Sequence, residues 1–362
     1  MWKYCLRFYC GVCFLFHLKP RAERNNEQVG VNCQVRRYSM LFTRFNIRRM
    51  SSSLPRHVIW QSETLVAYLH PQPWTPGSVI LERSTPGSLG GSIFHLEKQD
   101  FLSWLLAARA VSELLCDKLS VQRCALVSRP QRDRPAQICV LPLHGLDEEW
   151  RPHLAGEEEH NAHDPGYCTS KTAPRWSDSS LTDIQGKIRA KLSLPDAPHN
   201  FTFLGDDPAH PGLFSRIVRG EEQQWRVWED EGHVAFLTPF PNSPGFTVLV
   251  PRRPLTSDIF RLDKEDYEAL VLAALKVAKL LEESLGALGV GLIFEGFEID
   301  YAHAKLIPLF LPPSSETKSP TKPISPQYHS TYPGYVTSED GPEASQDRLK
   351  ELHIKITQIQ FS

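Results

Sequence analysis

Tyr301, His303 and Lys305 stand at alternate positions within residues 295–309. In an extended strand alternate side chains share a face, so these three fall together, and Ala302, Ala304 and Leu306 fall opposite. A phenol, an imidazole and an ammonium on one face can donate, accept and attack. Such a set is an odd way to build a core and a reasonable way to build a phosphate site. The other face is small and apolar, as packing requires. A lone histidine is more often structural than catalytic, so the weight rests on the alternation and on the Leu306-Ile307-Pro308-Leu309 continuation.

The elements that must hold this stretch occur twice. Residues 60–81 (Trp-Gln-Ser-Glu-Thr-Leu-Val-Ala-Tyr-Leu-His-Pro-Gln-Pro-Trp-Thr-Pro-Gly-Ser-Val-Ile-Leu) and residues 228–249 (Trp-Glu-Asp-Glu-Gly-His-Val-Ala-Phe-Leu-Thr-Pro-Phe-Pro-Asn-Ser-Pro-Gly-Phe-Thr-Val-Leu) align at an offset of 168. Each reads as strand, Pro-Gly-punctuated loop, strand. Residues 96–119 and 262–285 follow as amphipathic helices, the second with Leu270, Ala273, Ala274, Val277, Leu280 and Leu281 as its buried stripe. Leu141-Pro142-Leu143 then matches Ile307-Pro308-Leu309, and Pro165-Gly166-Tyr167-Cys168-Thr169-Ser170 matches Pro333-Gly334-Tyr335-Val336-Thr337-Ser338. Each Pro-Gly-Tyr segment precedes a short amphipathic helix and, occurring in both copies, reads as structural. The pattern is a tandem duplication.

The first copy serves as an internal control. Its strand keeps the packing face as Ala136, Ile138 and Val140, while the other face reads Pro135, Gln137 and Cys139. Gln137 stands where His303 stands, and an amide is no nucleophile for phosphorus. Cys139 has no histidine beside it and reads as a buried thiol; His144 ends the strand without a partner in sequence. His303 is therefore not something the fold itself demands.

Tyr301-Ala302-His303-Ala304-Lys305, followed by Leu-x-Pro-Leu, resembles the signature strand of the histidine-triad (HIT) superfamily in the variant with lysine third. The resemblance implies an α+β fold of two tandem HIT-like domains, each an antiparallel sheet with one long helix packed across it. It implies a nucleotide-conjugate hydrolase or nucleotidyltransferase working through a nucleotidyl-histidine on His303, helped by Lys305 and Tyr301. Phe214-Ser215-Arg216-Ile217 resembles the opening helix of such domains, whose apolar residues sandwich a base; Phe214 and Ile217 take those places. Glu295-Gly296 falls where a Gly-containing segment approaches the ligand. Four family positions differ: Tyr301 replaces the first histidine of the motif, a ring that helps protonate the leaving group, Phe246 a histidine after Pro-Gly, Thr238 a ribose-binding Asp, and Phe294 an Asn. The alternative reading is a catalytically weak or inactive nucleotide-binding or scaffolding module; a third is that the His303 face is buried and binds nothing. HIT proteins commonly pair as two-fold dimers, so a tandem copy implies a monomer with an intramolecular pseudo-dimer.

Composition bounds the rest. Forty basic against 42 acidic residues give no bulk charge for nucleic acid, and no apolar run approaches the roughly 20 residues of a membrane span. Eight cysteines show no metal-ligand spacing and fit free thiols in a reducing compartment; no cofactor or metal is expected. Residues 1–39 form a basic leader with Glu23 and Glu27 as its acids. Three readings stay open: a mitochondrial transit peptide, a short secretory core around Phe8 to Phe16, or an upstream extension unused when Met40 or Met50 starts the chain. The expected location is cytoplasmic or mitochondrial. The expected organisation is the leader, a degenerate HIT-like domain over 40–194, a Pro-rich linker over 195–212, and the site-bearing domain over 213–362. A weak echo, Leu41-Phe42-Thr43-Arg44 against Leu213-Phe214-Ser215-Arg216, places the start of the first copy near Met40.

Overall fold

A computed structural model describes residues 56–85, 91–131, 134–312 and 325–358. The leader and the echo at 41–44 lie outside the described residues.

Two runs of elements follow in the same order. The first is β1 (Val58–Gln61), β2 (Leu65–Leu69), β3 (Val79–Arg83), a 3-10 turn (Ile93–His95), α1 (Lys98–Leu119), β4 (Cys124–Ser128), β5 (Ile138–Pro142) and α2 (Asp178–Arg189). The second opens with an added helix, α3 (Leu213–Arg219). It continues through β6 (Arg226–Glu229), β7 (His233–Leu237), β8 (Thr247–Pro251), a 3-10 turn (Ile259–Arg261), α4 (Lys264–Leu285), β9 (Gly289–Phe294), β10 (Ala304–Leu309) and α5 (Gln346–Thr357). Both long helices have the same length, 22 residues.

All ten strands join one antiparallel sheet in the order β1-β2-β3-β5-β4-β9-β10-β8-β7-β6. The order is the same from either end. At its centre Leu126 pairs with Phe294, Val127 with Ile293 and Ser128 with Leu292, so each half presents the same register positions to the other. This junction gives β4 and β9 partners that each half alone would lack, and two exposed strand edges disappear.

The helices cover one face. α1 buries Phe101, Leu105, Ala108, Val111 and Leu115, and α4 buries Tyr267, Leu270, Ala274, Val277 and Leu281, at the three-and-four spacing that packs a helix on a sheet. Leu280, placed in the stripe by periodicity, is only half-buried. The strand-loop-strand units turn at Gly77 (φ 78°) and Gly245 (φ 79°). A side chain there would meet Leu119 Cδ1 at 2.5 Å or Leu285 Cδ1 at 2.4 Å, so each glycine lets a hairpin turn seat against the end of its long helix.

The short helices are exchanged between halves. α2 packs on α4 and β6, whereas α5 packs on α1 and β1. Gln185 Nε2 donates to the Arg226 carbonyl at 3.0 Å, and His353 Nε2 lies 2.9 Å from the Val58 carbonyl. The chain leading to each helix crosses the sheet's other face, where Thr169 and Thr337 form an antiparallel bridge and the Ser170 and Ser338 amides donate to the Val336 and Cys168 carbonyls. Both helices start on a serine N-cap, Ser177 and Ser345. Replacing Ser345 by Ala removes the acceptor for Arg348 N–H and should cost about 1 kcal/mol, read as a lower urea midpoint at constant slope. An unchanged midpoint would show that α5 adds nothing to the cooperative fold.

One reading from the sequence needs correction. Residues 295–303 do not continue a strand: β9 ends at Phe294, and β10 starts at Ala304. Gly296 lies at φ 83°, which breaks the extended run. The alternation resumes at Tyr301, and Ala302, Ala304 and Leu306 do pack into the helix-side core.

Candidate active site

The sheet face away from the long helices carries a second apolar cluster that includes Phe214, Ile217, Phe236, Phe246, Ile293, Tyr301 and Tyr332. His303 and Lys305 point into it from the start of β10, at 3% and 4% exposure.

Helix α3 covers them. The Phe214 ring stands edge-on to His303 at 5.5 Å between centroids and to Tyr301 at 5.6 Å. Ile217, one turn on, is buried in the same cluster. The helix ends at Gly220 in the left-handed region, and the buried Arg226 guanidinium donates to the Ile217 and Val218 carbonyls. Arg226 thus satisfies the last turn of α3 with charge-assisted bonds, which fixes where Phe214 sits.

The imidazole is oriented by its own backbone. His303 Nδ1 lies 2.7 Å from the Tyr301 carbonyl oxygen. A carbonyl only accepts, so Nδ1 carries the proton, and Nε2 of the neutral ring holds a lone pair. Burial foremost, then the Lys305 charge, push the histidine pKa below its usual 6.5, against the opposing pull of the Tyr301 carbonyl, Glu298 and Glu295. The neutral tautomer is therefore the resting form at neutral pH.

Lys305 is held differently. Its Nζ lies 3.0 Å from Glu295 Oε2 and 3.3 Å from Glu298 Oε2. Burial opposes its charge, but the two carboxylates outweigh that and keep it protonated. Glu295 is itself buried and saturated, its Oε1 accepting from Tyr332 OH at 2.6 Å and Ser170 Oγ at 2.9 Å. Glu298 is less enclosed, with 36% of its side chain exposed, and the Lys305 charge depresses its pKa. Two carboxylates against one ammonium leave this corner one negative charge in excess. Tyr301 is buried with its hydroxyl donating to the Pro251 carbonyl at 2.9 Å, which fixes the phenol toward β8.

Glu295 and Gly296 differ in what they touch. Glu295 reaches the Lys305 corner, whereas the space a Gly296 side chain would need is taken by the Ser257 carbonyl, 2.4 Å from an added Cβ. Sequence reasoning missed Glu298, Tyr332, Ser170 and Arg226. Ser170 closes the Pro-Gly-Tyr-x-Thr-Ser motif, so its signal was visible, but its target lies 125 positions away in the other half. Among the described residues no cluster of three or more His, Cys, Asp or Glu is arranged to hold a metal. No described helix is long and apolar enough to cross a membrane.

The depressed histidine has a measurable consequence. Its folded pKa lies below the unfolded value, so at mildly acid pH the unfolded chain binds a proton that the folded chain does not. Stability then rises with pH across that interval and falls as pH drops from about 6.5 toward the folded pKa. His70 and His329 are shifted in the same direction by burial and add to the slope. His303→Asn should flatten the stability profile between about pH 6.5 and 5 without abolishing its slope, as followed by urea denaturation at stepped pH. An unchanged slope would mean that His303 protonates as easily folded as unfolded.

Residues 219–300 match the family model of the HIT domain, ending just before His303. A 13.1 kDa HIT-like protein of Mesomycoplasma hyorhinis is 27% identical over 103 residues, covering 27% of this chain and 92% of that protein. A 16.1 kDa HIT-like protein of Mycoplasma pneumoniae is 27% identical over 103 residues, covering 27% and 71% respectively. Among solved structures, a HIT family protein from Bacillus anthracis is 25% identical with a TM-score of 0.26, covering 28% of this chain and 75% of that one. A histidine triad protein from Clostridium difficile is 24% identical with a TM-score of 0.25, covering 30% and 97%. The HIT-domain match lies in the second half of the chain.

Proposed function

We propose that this chain is a nucleotide-conjugate hydrolase or nucleotidyltransferase whose nucleophile is His303. One observation carries the reading: His303 Nδ1 lies 2.7 Å from the Tyr301 carbonyl, which in the neutral ring that burial favours leaves Nε2 as the free lone pair. In the reaction, Nε2 attacks the α-phosphorus of a nucleotide ester, anhydride or phosphoramidate. The Nε2–P bond forms as the P–O or P–N bond to the leaving group breaks, and that group departs with the bonding pair and takes a proton. Water or another acceptor then attacks phosphorus, the Nε2–P bond breaks, and the acceptor's proton is released. Lys305 supplies positive charge two residues along. Phe214 and Ile217 supply the apolar wall for a base, with Glu295 setting the lysine and the Gly296 turn bringing Glu295 into place. Tyr301 acts through its carbonyl, which orients the nucleophile.

The two halves make the same contacts at Val127/Ile293 and Thr169/Thr337, which supports a duplicated domain folded as a monomeric pseudo-dimer. In this arrangement residues 40–194 are the copy without a nucleophile, 195–212 the connection and 213–362 the copy with one. The second reading, a module that binds nucleotide without turnover, is favoured by one feature. Glu295 and Glu298 already neutralise Lys305, and phosphate must enter against a net negative corner. The two separate on turnover of a panel of nucleoside phosphoramidates, dinucleoside polyphosphates and nucleotide sugars by wild type and His303→Asn. Release of nucleoside monophosphate that depends on His303 supports the enzyme, whereas binding without release supports the module.

A further inference from the structure

The half without a nucleophile contains an open cleft of its own. A cleft of about 660 Å³ is lined by Tyr68, Gln137 and Cys139 from its own strands, by Arg129 and Arg134, and by Glu339 of the crossing segment from the other half. That volume lies within the usual range for small-molecule sites. Gln137 and Cys139 occupy the places that His303 and Lys305 hold in the second half, and Arg129 occupies the place of Glu295. At this one position a carboxylate in the second half is thus a guanidinium in the first, each with its own ion-pair partner.

The two floors also differ in what remains to be satisfied. Glu295 accepts from Lys305, Ser170 and Tyr332. Arg129 donates through Nη2 to Asp164 at 2.7 Å, while its buried Nε–H has no partner among the described residues. An unpaired buried guanidinium donor asks for an acceptor. Arg134 brings a second cation to the same cleft from the exposed rim. Asp164 opposes the Arg129 charge from one side, while Cys139, at the place of Lys305, adds no charge because burial pushes its thiol up to about 12.

The same walls carry acids. Asp340 lies 3.4 Å from His70 Nε2, and Glu339 has its pKa raised by burial and by the nearby Glu159. A bare dianion would meet these acids unfavourably, whereas a ligand that is anionic at one end and rich in hydroxyls at the other matches both sets. Gln137 donates to Glu82 at 3.0 Å and offers no nucleophile.

We propose that this cleft binds a phosphate monoester of a polyhydroxylated molecule without turnover, the phosphate on Arg129 and Arg134 and the hydroxyls on Glu339 and Asp340. Because Glu339 and Asp340 come from the second half, the test requires the whole chain. Titration calorimetry with AMP, ribose 5-phosphate and inorganic phosphate should show both esters bound and bound more tightly than phosphate. Arg134→Gln, an exposed change that leaves the fold intact, should weaken ester binding about tenfold, and Arg129→Gln at least as much. His303→Asn should leave ester affinity unchanged. Arg134-dependent binding in a chain that turns over no substrate would keep this assignment while ending the catalytic reading above. The assignment is overturned by no ester binding at millimolar concentration, by phosphate binding as tightly as the esters, or by an affinity that follows His303 and ignores Arg134.

Discussion

Glu295→Leu should destabilise the fold by about 3–5 kcal/mol, the largest stability effect expected from any single substitution at the site. The carboxylate is 6% exposed and accepts from three donors: Lys305 Nζ, Ser170 Oγ and Tyr332 OH. Its removal leaves an ammonium at 4% exposure with only the half-open Glu298 opposite, and strands two hydroxyls. Desolvation of an uncompensated charge, not loss of one bond, dominates the cost. Glu295→Leu with Lys305→Leu removes both charges and should recover more than half of the loss, because a buried ion pair contributes little net stability over apolar replacements. Urea denaturation of the two variants decides it. If the double variant were no more stable than Glu295→Leu alone, the Ser170 and Tyr332 hydroxyls would be the dominant partners. Ser170 belongs to the other half, so the loss in Glu295→Leu should extend to the contact between halves.

His303→Asn should lower turnover by about 10³-fold or more while keeping the fold. An asparagine amide can still donate toward the Tyr301 carbonyl, so orientation and packing under Phe214 are retained as far as a smaller side chain allows. What disappears is the lone pair at Nε2, and with it the covalent step proposed above; a residual rate would come from positioning and charge alone. Substrate binding should change little, since Lys305, Phe214 and Ile217 remain. Loss confined to the chemical step, with binding retained in an equilibrium titration, is the expected pattern. Equal turnover in variant and wild type would remove the histidine from the mechanism.

Much of this arrangement was legible in the sequence, and the boundary of legibility has physical causes. The long helices, the Pro-Gly turns and the Leu-Pro-Leu strands were readable because each is a local pattern repeated at nearly constant offset. The two faces at 301–306 were readable from alternation, even though strand geometry starts only at Ala304. Glu298 was hidden because it sits in a loop, where no period says which way a side chain points. Ser170 and Tyr332 were hidden because the segments carrying them cross the sheet and pair through Thr169 and Thr337, a long-range contact that local pattern does not encode. Arg226 lies just before the repeated segment 228–249 and carries no periodic signal, yet it is 2% exposed and closes the end of α3. The reversal from Glu295 to Arg129 is visible once the copies are aligned, but its meaning needed the cleft around it.

The most direct measurement is intact-mass and peptide spectrometry of the full chain, mixed with the same nucleotide conjugates and quenched within milliseconds at alkaline pH, where phosphoramidate bonds to histidine persist. The account predicts a nucleotidyl adduct on His303, absent in His303→Asn, with a mass that identifies the nucleotide transferred. Product release with no adduct at His303 under single-turnover conditions, or an adduct mapped to another residue, would contradict it.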